Sequence, residues 1–178
     1  MRKMSGVLLA VAMMLPLGIW VAGPAGAAGG TVCSTTGGTV TWTPPLPVKA
    51  PGVKLHISAA GTFGKCTGPV ASAHTVLTSP VGKTPSSCAS TLKFSTGAEA
   101  TGTLTVTWNK GAKSVIAVSI FKVKGKPTQA LVTGTVKSGQ FAGLKSSGTV
   151  QYTPKVGNCG TTPLKTATYT QVGSLKIG

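Results

Sequence analysis

Apolar and polar residues alternate with a period of two along most of the chain, a pattern typical of β-strands that bury one face. In the segment 53–59, Val53, Leu55 and Ile57 share one face, and 103–108 repeats this alternation. From residue 28 onward, no stretch combines a 3.6-residue apolar period with helix-capping residues. We predict nine strands, at 39–42, 53–63, 70–78, 89–95, 103–108, 115–123, 130–137, 148–153 and 164–177.

The connections between the predicted strands are short and rich in turn-forming residues. Asn109-Lys110-Gly111 separates two strands, and Gly125-Lys126-Pro127 closes the second of them. Regular turns between short strands are typical of an antiparallel sandwich or barrel. The sequence therefore predicts an all-β fold, an antiparallel β-barrel or β-sandwich of about nine strands. The short connections favour a barrel, because successive strands can then form a meander.

One predicted strand, 115–121, is apolar on both faces. A barrel strand has one face in the core and one in water, so this run needs cover on its second side. We expect at least two of Ile116, Val118 and Ile120 to be buried within the monomer, because a bare apolar stripe promotes association.

Residues 1–27 have the features of a secretory signal peptide. Arg2 and Lys3 precede an apolar stretch at 6–22, and small residues follow it. Residues 28–178 then form a single domain of ordinary size. No later segment is long and apolar enough for a membrane helix. We therefore predict no transmembrane anchoring and a secreted protein, either extracellular or associated with the cell wall.

All four cysteines lie in the part of the chain that would be exported. An even number of cysteines outside the cell indicates two disulfides, for which three pairings are possible. We favour Cys33–Cys66 and Cys88–Cys159. The first pair flanks a predicted long hairpin about the turn at 44–47, and antiparallel pairing would place these two cysteines opposite each other.

Lysine dominates the charge of the chain. The sequence has 17 Lys+Arg against 1 Asp+Glu, a net charge of +16. After residue 27 the basic residues are fifteen lysines with no arginine, and Glu99 is the single acid. Base-specific readers of nucleic acid rely on arginine, so we predict no sequence-specific nucleic-acid partner.

A spread field of lysines attracts polyanions as point charges. We therefore predict association with anionic polymers or lipid headgroups at the cell surface. The candidate residues are Lys110, Lys113, Lys122, Lys124 and Lys126. The same charge also serves simple solubility, and that interpretation has equal weight. The alternative function is a carrier of a small apolar ligand, with its site inside the barrel.

Few side chains offer catalytic or metal chemistry. Glu99 stands alone in a predicted turn, and His56 and His74 have no aspartate to orient them for nucleophilic catalysis. The cysteines lack the close spacing of a zinc site. We therefore predict no enzymatic activity, no catalytic residues, no cofactor and no metal site.

The aromatic residues allow two interpretations. Trp42 and Trp108 each end an apolar strand face, which favours the core over an exposed ligand platform. Tyr152 and Tyr169 are the better candidates for partly exposed aromatics.

Two segments resemble those of small secreted β-rich proteins of actinobacteria: Thr-Gly-Thr-Leu-Thr-Val-Thr-Trp-Asn-Lys-Gly at 101–111 and Gly-Thr-Val-Lys-Ser-Gly-Gln-Phe-Ala-Gly at 134–143. The signal peptide strengthens this resemblance. It implies secretion and an all-β fold, and it implies no catalytic residue. Proteins of this kind are generally described as having no known function.

Overall fold

Eight antiparallel strands form a closed barrel in a computed structural model that describes residues 29–49, 53–78, 87–88 and 100–178. Each strand pairs with the next along the chain, and the last strand pairs with the first. The strands are β1 (Thr31–Leu46), β2 (His56–Thr67), β3 (Ala73–Thr78), β4 (Ala100–Trp108), β5 (Lys113–Val123), β6 (Lys126–Gly139), β7 (Lys145–Val156) and β8 (Leu164–Ile177).

The predicted all-β barrel is confirmed, and it takes the form of a meander. Eight of the nine predicted strands are present. The ninth, 89–95, lies outside the described residues, as does the predicted signal peptide at 1–27. The strand predicted at 39–42 is much longer, because β1 begins at Thr31. Its pairing with β8 shifts register between Cys33 and Gly37, and such a bulge breaks the period-two signal in the sequence.

Two tight turns join β4 to β5 and β5 to β6. Lys124 and Gly125 form the second turn, with Val123 paired to Lys126 across it. Gly111 and Gly125 have φ of 80° and 70°, in the left-handed region that glycine adopts without strain in tight hairpin turns. The turn predicted at 109–111 is confirmed. The strand β6 begins at Lys126, earlier than the turn residues at 125–127 indicated.

The two ends of the barrel differ in their connections. We call the end that carries the connections 68–72, 109–112 and 140–144 the packed end. The opposite end carries the connections 47–55, 124–125 and 157–163, and the chain leaves β3 and returns to β4 there. We call it the cavity end.

Aromatic side chains fill the interior at the packed end. The rings of Trp108 and Phe141 meet edge to face with centroids 5.3 Å apart, and the ring of Phe63 lies 6.4 Å from that of Trp108. The indole Nε1 of Trp108 donates a hydrogen bond to Ser114 Oγ at 2.8 Å, and Ser114 Oγ donates to the carbonyl oxygen of Gln140. The indole N–H, which is the single polar group of the Trp108 side chain, therefore has a hydrogen-bond partner inside the core.

The strand that is apolar on both faces turns one of them to the barrel interior. Ile116 and Val118 are buried there, so the predicted burial of at least two of the three residues is confirmed. The apolar face of Ile116 and Val118 is therefore covered by the interior of the barrel. On the other face Val115 is half-buried and Ala117 is exposed.

Both predicted disulfides are confirmed, one at each end of the barrel. Cys33 and Cys66 are direct register partners on β1 and β2, with Cα atoms 3.9 Å apart, at the packed end. Cys88 and Cys159 join the β3–β4 and β7–β8 connections at the cavity end. The turn of the first hairpin lies later than predicted, because β1 continues through the prolines to Leu46. Two disulfides are consistent with an extracellular protein.

Candidate functional site

Small inward-facing residues leave a cavity inside the barrel at the cavity end. Its volume is about 220 Å³. Ala59 on β2, Ala130 on β6 and Gly148 on β7 line it, where larger side chains would fill the space. Most of the other lining residues are aliphatic or aromatic. The site is therefore suited to an apolar molecule.

Two aromatic residues flank the cavity at its outer part. Trp42 on β1 and Tyr152 on β7 meet edge to face, with ring centroids 6.2 Å apart. The Tyr152 hydroxyl donates a hydrogen bond to the carbonyl oxygen of Pro127, which ties β7 to the start of β6. Pro127 is exposed and also lines the cavity, so the cavity reaches the surface here. Burial raises the pKa of the Tyr152 hydroxyl.

A second tyrosine crosses the interior because two glycines make room for it. A Cβ at Gly61 would lie 2.2 Å from the Tyr169 hydroxyl oxygen, and one at Gly38 would lie 2.7 Å from it. The hydroxyl thus passes over β1 and β2 and reaches the side chain of Thr75 on β3. Burial raises the pKa of Tyr169, and the hydrogen bond with Thr75 opposes that rise. Both tyrosines are therefore neutral hydrogen-bonding groups at neutral pH.

Lys122 is the one charged residue among the described residues that line the cavity. It follows Val118 and Ile120 at every second position of β5, and both of these line the cavity as well. Its register partner on β6 is Ala130, whose partner on β7 is Val150. These two residues also line the cavity, as does Phe121, the residue that precedes Lys122. It is half-buried.

A small apolar cluster packs beside the cavity and fixes the connections of the cavity end. Its buried members are Leu46, Leu55, Cys88 and Leu164. The backbone N–H of Cys88 donates to the carbonyl oxygen of Pro47 at 2.7 Å. Trp42 and Cys159 contact this cluster and also line the cavity. The second disulfide therefore belongs to the cavity wall.

The five lysines predicted to bind polyanions do not form one patch. Lys110 and Lys113 lie at the packed end, whereas Lys122, Lys124 and Lys126 lie at the cavity end. Lys122 is the ninth residue after Lys113 on β5, which is about 30 Å along a strand. A role in polyanion binding stays a prediction for all five.

Every strand lysine lies within two residues of an end of its strand. The outer surface of the barrel waist carries no charged residue among those described, and it is rich in threonine. Three threonines of β4 are part of this surface: Thr103 is exposed, while Thr105 and Thr107 are half-buried. The described lysines thus form two rings, one at each barrel end.

The residues considered for catalysis stand apart. His56 and His74 are both exposed. His74 pairs with Thr62, six residues beyond His56 on β2, so about 20 Å of strand separates the two histidines. Glu99 lies outside the described residues. Within the described ranges, no three histidine, cysteine or acidic side chains group as metal ligands would.

The sequence placed some of the cavity residues better than others. Trp108 is buried in the core, as predicted, while Trp42 is half-buried at the cavity. Tyr152 and Tyr169 are half-buried, in agreement with their predicted partial exposure. The small lining residues were missed. Their signal was a small residue at an inward position on several different strands.

Among the residues described, no helix is long and apolar enough to span a bilayer. Comparison with protein family models, curated proteins and solved structures finds no match to this chain.

Proposed function

We propose that this protein is an exported, non-enzymatic carrier of a small apolar molecule, which it holds inside the barrel. The observation that carries the proposal is the apolar cavity of about 220 Å³ inside the barrel. Natural cores contain few voids larger than a water molecule, so a cavity of this size calls for a use. The disulfide at the cavity wall suits a site that must keep its shape outside the cell.

The cavity volume limits the size of the ligand. An apolar cavity of about 150 Å³ holds benzene, so 220 Å³ has room for roughly nine non-hydrogen atoms. Octan-1-ol is a probe of that size. At about 0.8 kcal/mol for each buried methylene group, it should bind with a Kd on the order of tens of micromolar.

Two neighbouring alanines provide a matched test. Ala59 lines the cavity, whereas Ala60 is exposed on the other face of β2. We expect Ala59→Phe to fill much of the cavity and to weaken octan-1-ol binding at least about tenfold by calorimetry. Ala60→Phe adds the same side chain outside and should bind like the unchanged protein. Ala130→Leu is a second cavity-filling variant, in case the first unfolds.

Two outcomes of this binding experiment would contradict the proposed carrier function. Equal octan-1-ol affinity in the Ala59→Phe and Ala60→Phe variants would place any binding outside the barrel. No binding by the unchanged protein, up to millimolar concentrations, would mean that the cavity does not serve an apolar ligand of this size.

We retain association with anionic polymers as a second candidate function. The two lysine rings favour it, since each barrel end presents several lysines with no acidic residue among those described. Binding of this type releases counterions and therefore weakens steeply as salt increases. Solubility by net charge alone predicts no such retention.

Retention on immobilised polyphosphate across a salt series tests this second candidate. Lys110→Gln/Lys113→Gln changes the packed end, and Lys124→Gln/Lys126→Gln changes the cavity end. Each double variant should lower the slope of log affinity against log salt by about two if its end contacts the polymer. A slope that neither variant changes would exclude these four lysines from the contact.

A further inference from the structure

We propose that the ligand is a neutral apolar molecule with one hydrogen-bond acceptor, such as a ketone oxygen, which binds the hydroxyl pair of Tyr169 and Thr75. This inference rests on the carrier function proposed above and names the chemical class of its ligand. Its basis is the position of these two residues, which meet inside the barrel and both line a cavity that is otherwise largely apolar.

One register row of the barrel brings Tyr169 to Thr75. Tyr169 on β8 pairs with Gly38 on β1, and Gly38 pairs with Gly61 on β2. Gly61 in turn pairs with Thr75 on β3. A Cβ atom at either glycine would collide with the Tyr169 hydroxyl. The tyrosine can therefore lie across β1 and β2 because both intervening residues of the row are glycine.

The hydroxyl pair lies deep in the cavity. Trp42, at the outer part, is four residues beyond Gly38 on β1, which is about 13 Å along a strand. Thr75 is 3% exposed. The register pair Ala59 and Leu77 lies two residues nearer the cavity end and also lines the cavity. A bound molecule can therefore place its apolar body beside Ala59 and Leu77 while its oxygen meets the two hydroxyls.

The two hydroxyls together have one more donor than their mutual hydrogen bond uses. Tyrosine and threonine each carry one O–H donor, and the hydrogen bond between Tyr169 and Thr75 takes one of the two. No further hydrogen bond of either hydroxyl is found among the described residues. A ligand oxygen can accept the remaining O–H. A neutral oxygen suits this depth, because an ionised group costs far more to remove from water.

Two probes of nearly the same shape isolate the contribution of the oxygen. Acetophenone carries a carbonyl oxygen where cumene carries a methyl group, and both are of the size that the cavity admits. Tyr169→Phe/Thr75→Val removes both hydroxyls and keeps the shapes of the side chains, so neither partner is left unpaired. We expect the double variant to bind acetophenone about fivefold more weakly by calorimetry. Its affinity for cumene should stay within about twofold of that of the unchanged protein.

A threonine on the outside of the barrel provides the matched control. Thr103 is exposed on β4, and Thr103→Val should leave the affinities for acetophenone and cumene unchanged. Infrared spectroscopy of acetophenone bound to the unchanged protein provides a measurement that needs no variant. A hydrogen bond weakens the carbonyl bond, so the carbonyl band of the bound ketone should lie at lower frequency than in hexane. A band at the hexane position would contradict the proposal.

The possible failures are distinguishable. If neither cumene nor octan-1-ol binds, the carrier function fails, and this inference fails with it. If either of them binds while the double variant keeps its full affinity for acetophenone, the cavity carries apolar molecules without recognising the oxygen at Tyr169 and Thr75. If Tyr152→Phe weakens acetophenone binding and the double variant does not, the oxygen lies at the outer part of the cavity, and the assignment to the deep hydroxyl pair is wrong.

Discussion

The packed end and the cavity end of this barrel are built from the same eight strands, yet the residues that the structure describes fill only the packed end. At the packed end, Trp108, Phe141 and Phe63 meet in the interior. At the cavity end, the inward positions include Ala59 and Ala130, and a cavity of about 220 Å³ remains between the strands. The backbone geometry is shared, so the size of the inward side chains makes the difference.

The two tryptophans express this difference most clearly. Trp108 is 2% exposed, and its indole N–H is satisfied inside the core by Ser114. Trp42 is half-buried, contacts Tyr152 on one side and lines the cavity. An eight-stranded barrel is just wide enough for side chains to fill or for one small ligand to be held. This chain uses the first solution at one end and the second at the other.

Replacing each tryptophan in turn with alanine is the most severe test of the difference between the two ends. We expect Trp108→Ala to lower the free energy of unfolding by about 3–5 kcal/mol, because it opens a void in a close-packed core. Trp42→Ala should cost less than half as much, since its side chain already borders a cavity and is partly exposed. Urea unfolding with both disulfides intact measures the two values.

Ligand binding provides the control for these two variants. Trp42→Ala should change the affinity for octan-1-ol, whereas folded Trp108→Ala should bind it with nearly unchanged affinity. Equal losses in the free energy of unfolding of the two variants would show that the cavity end is packed as tightly as the packed end. That result would contradict the difference between the two ends.

The fold was predictable because its pattern is local. Alternation places Leu104, Val106 and Trp108 on one face, and β-branched residues favour strands. The pairing of Cys33 with Cys66 followed from the hairpin that they flank. What remained open was barrel against sandwich, because alternation defines the buried face of a strand and not the partner of that face.

The cavity was less predictable, because it arises from residues on different strands. Ala59, Ala130 and Gly148 meet only after the barrel closes. Lys122 shows the same limit. The sequence groups it with Lys124 and Lys126 as a surface cluster, although it shares the phase of Val118 and Ile120. Period-two counting alone would have placed it inside, but charge is usually taken as evidence for exposure.

The two disulfides should stabilise both ends similarly while affecting the ligand at one end only. Removal of either bridge, by Cys33→Ala/Cys66→Ala or Cys88→Ala/Cys159→Ala, should cost about 2–4 kcal/mol. The sequence separations are 33 and 71, and chain entropy depends on them only logarithmically. Calorimetry with octan-1-ol should then show weaker binding for the second variant, whose bridge is part of the cavity wall.

The variant without Cys33–Cys66 is the matched control for the one without Cys88–Cys159. Loss of affinity in both to the same extent would mean that the cavity depends on global stability and not on its own wall. Unchanged affinity for octan-1-ol in both variants would mean that the Cys88–Cys159 disulfide does not contribute to ligand binding.

The smallest expected effect is spectroscopic, and it reports on the cavity end alone. The chain has two tyrosines, both of which line the cavity, so the tyrosinate absorbance monitors this end directly. Burial raises the pKa of both hydroxyls, whereas tyrosines in an unfolded chain titrate near pH 10. The neutral hydroxyls thus favour the folded state fully below about pH 10. That contribution is lost as the pH rises through the higher pKa values of the folded protein.

A spectrophotometric titration of the folded and the urea-unfolded protein should therefore show tyrosinate forming at higher pH in the folded state. Thr75→Val removes the hydrogen bond that opposes the rise at Tyr169, so it should move one of the two steps to still higher pH and leave the Tyr152 step in place. Tyr152→Phe assigns the steps. Coincident titrations of the folded and unfolded protein would mean that both hydroxyls are freely hydrated, which contradicts an apolar cavity around them.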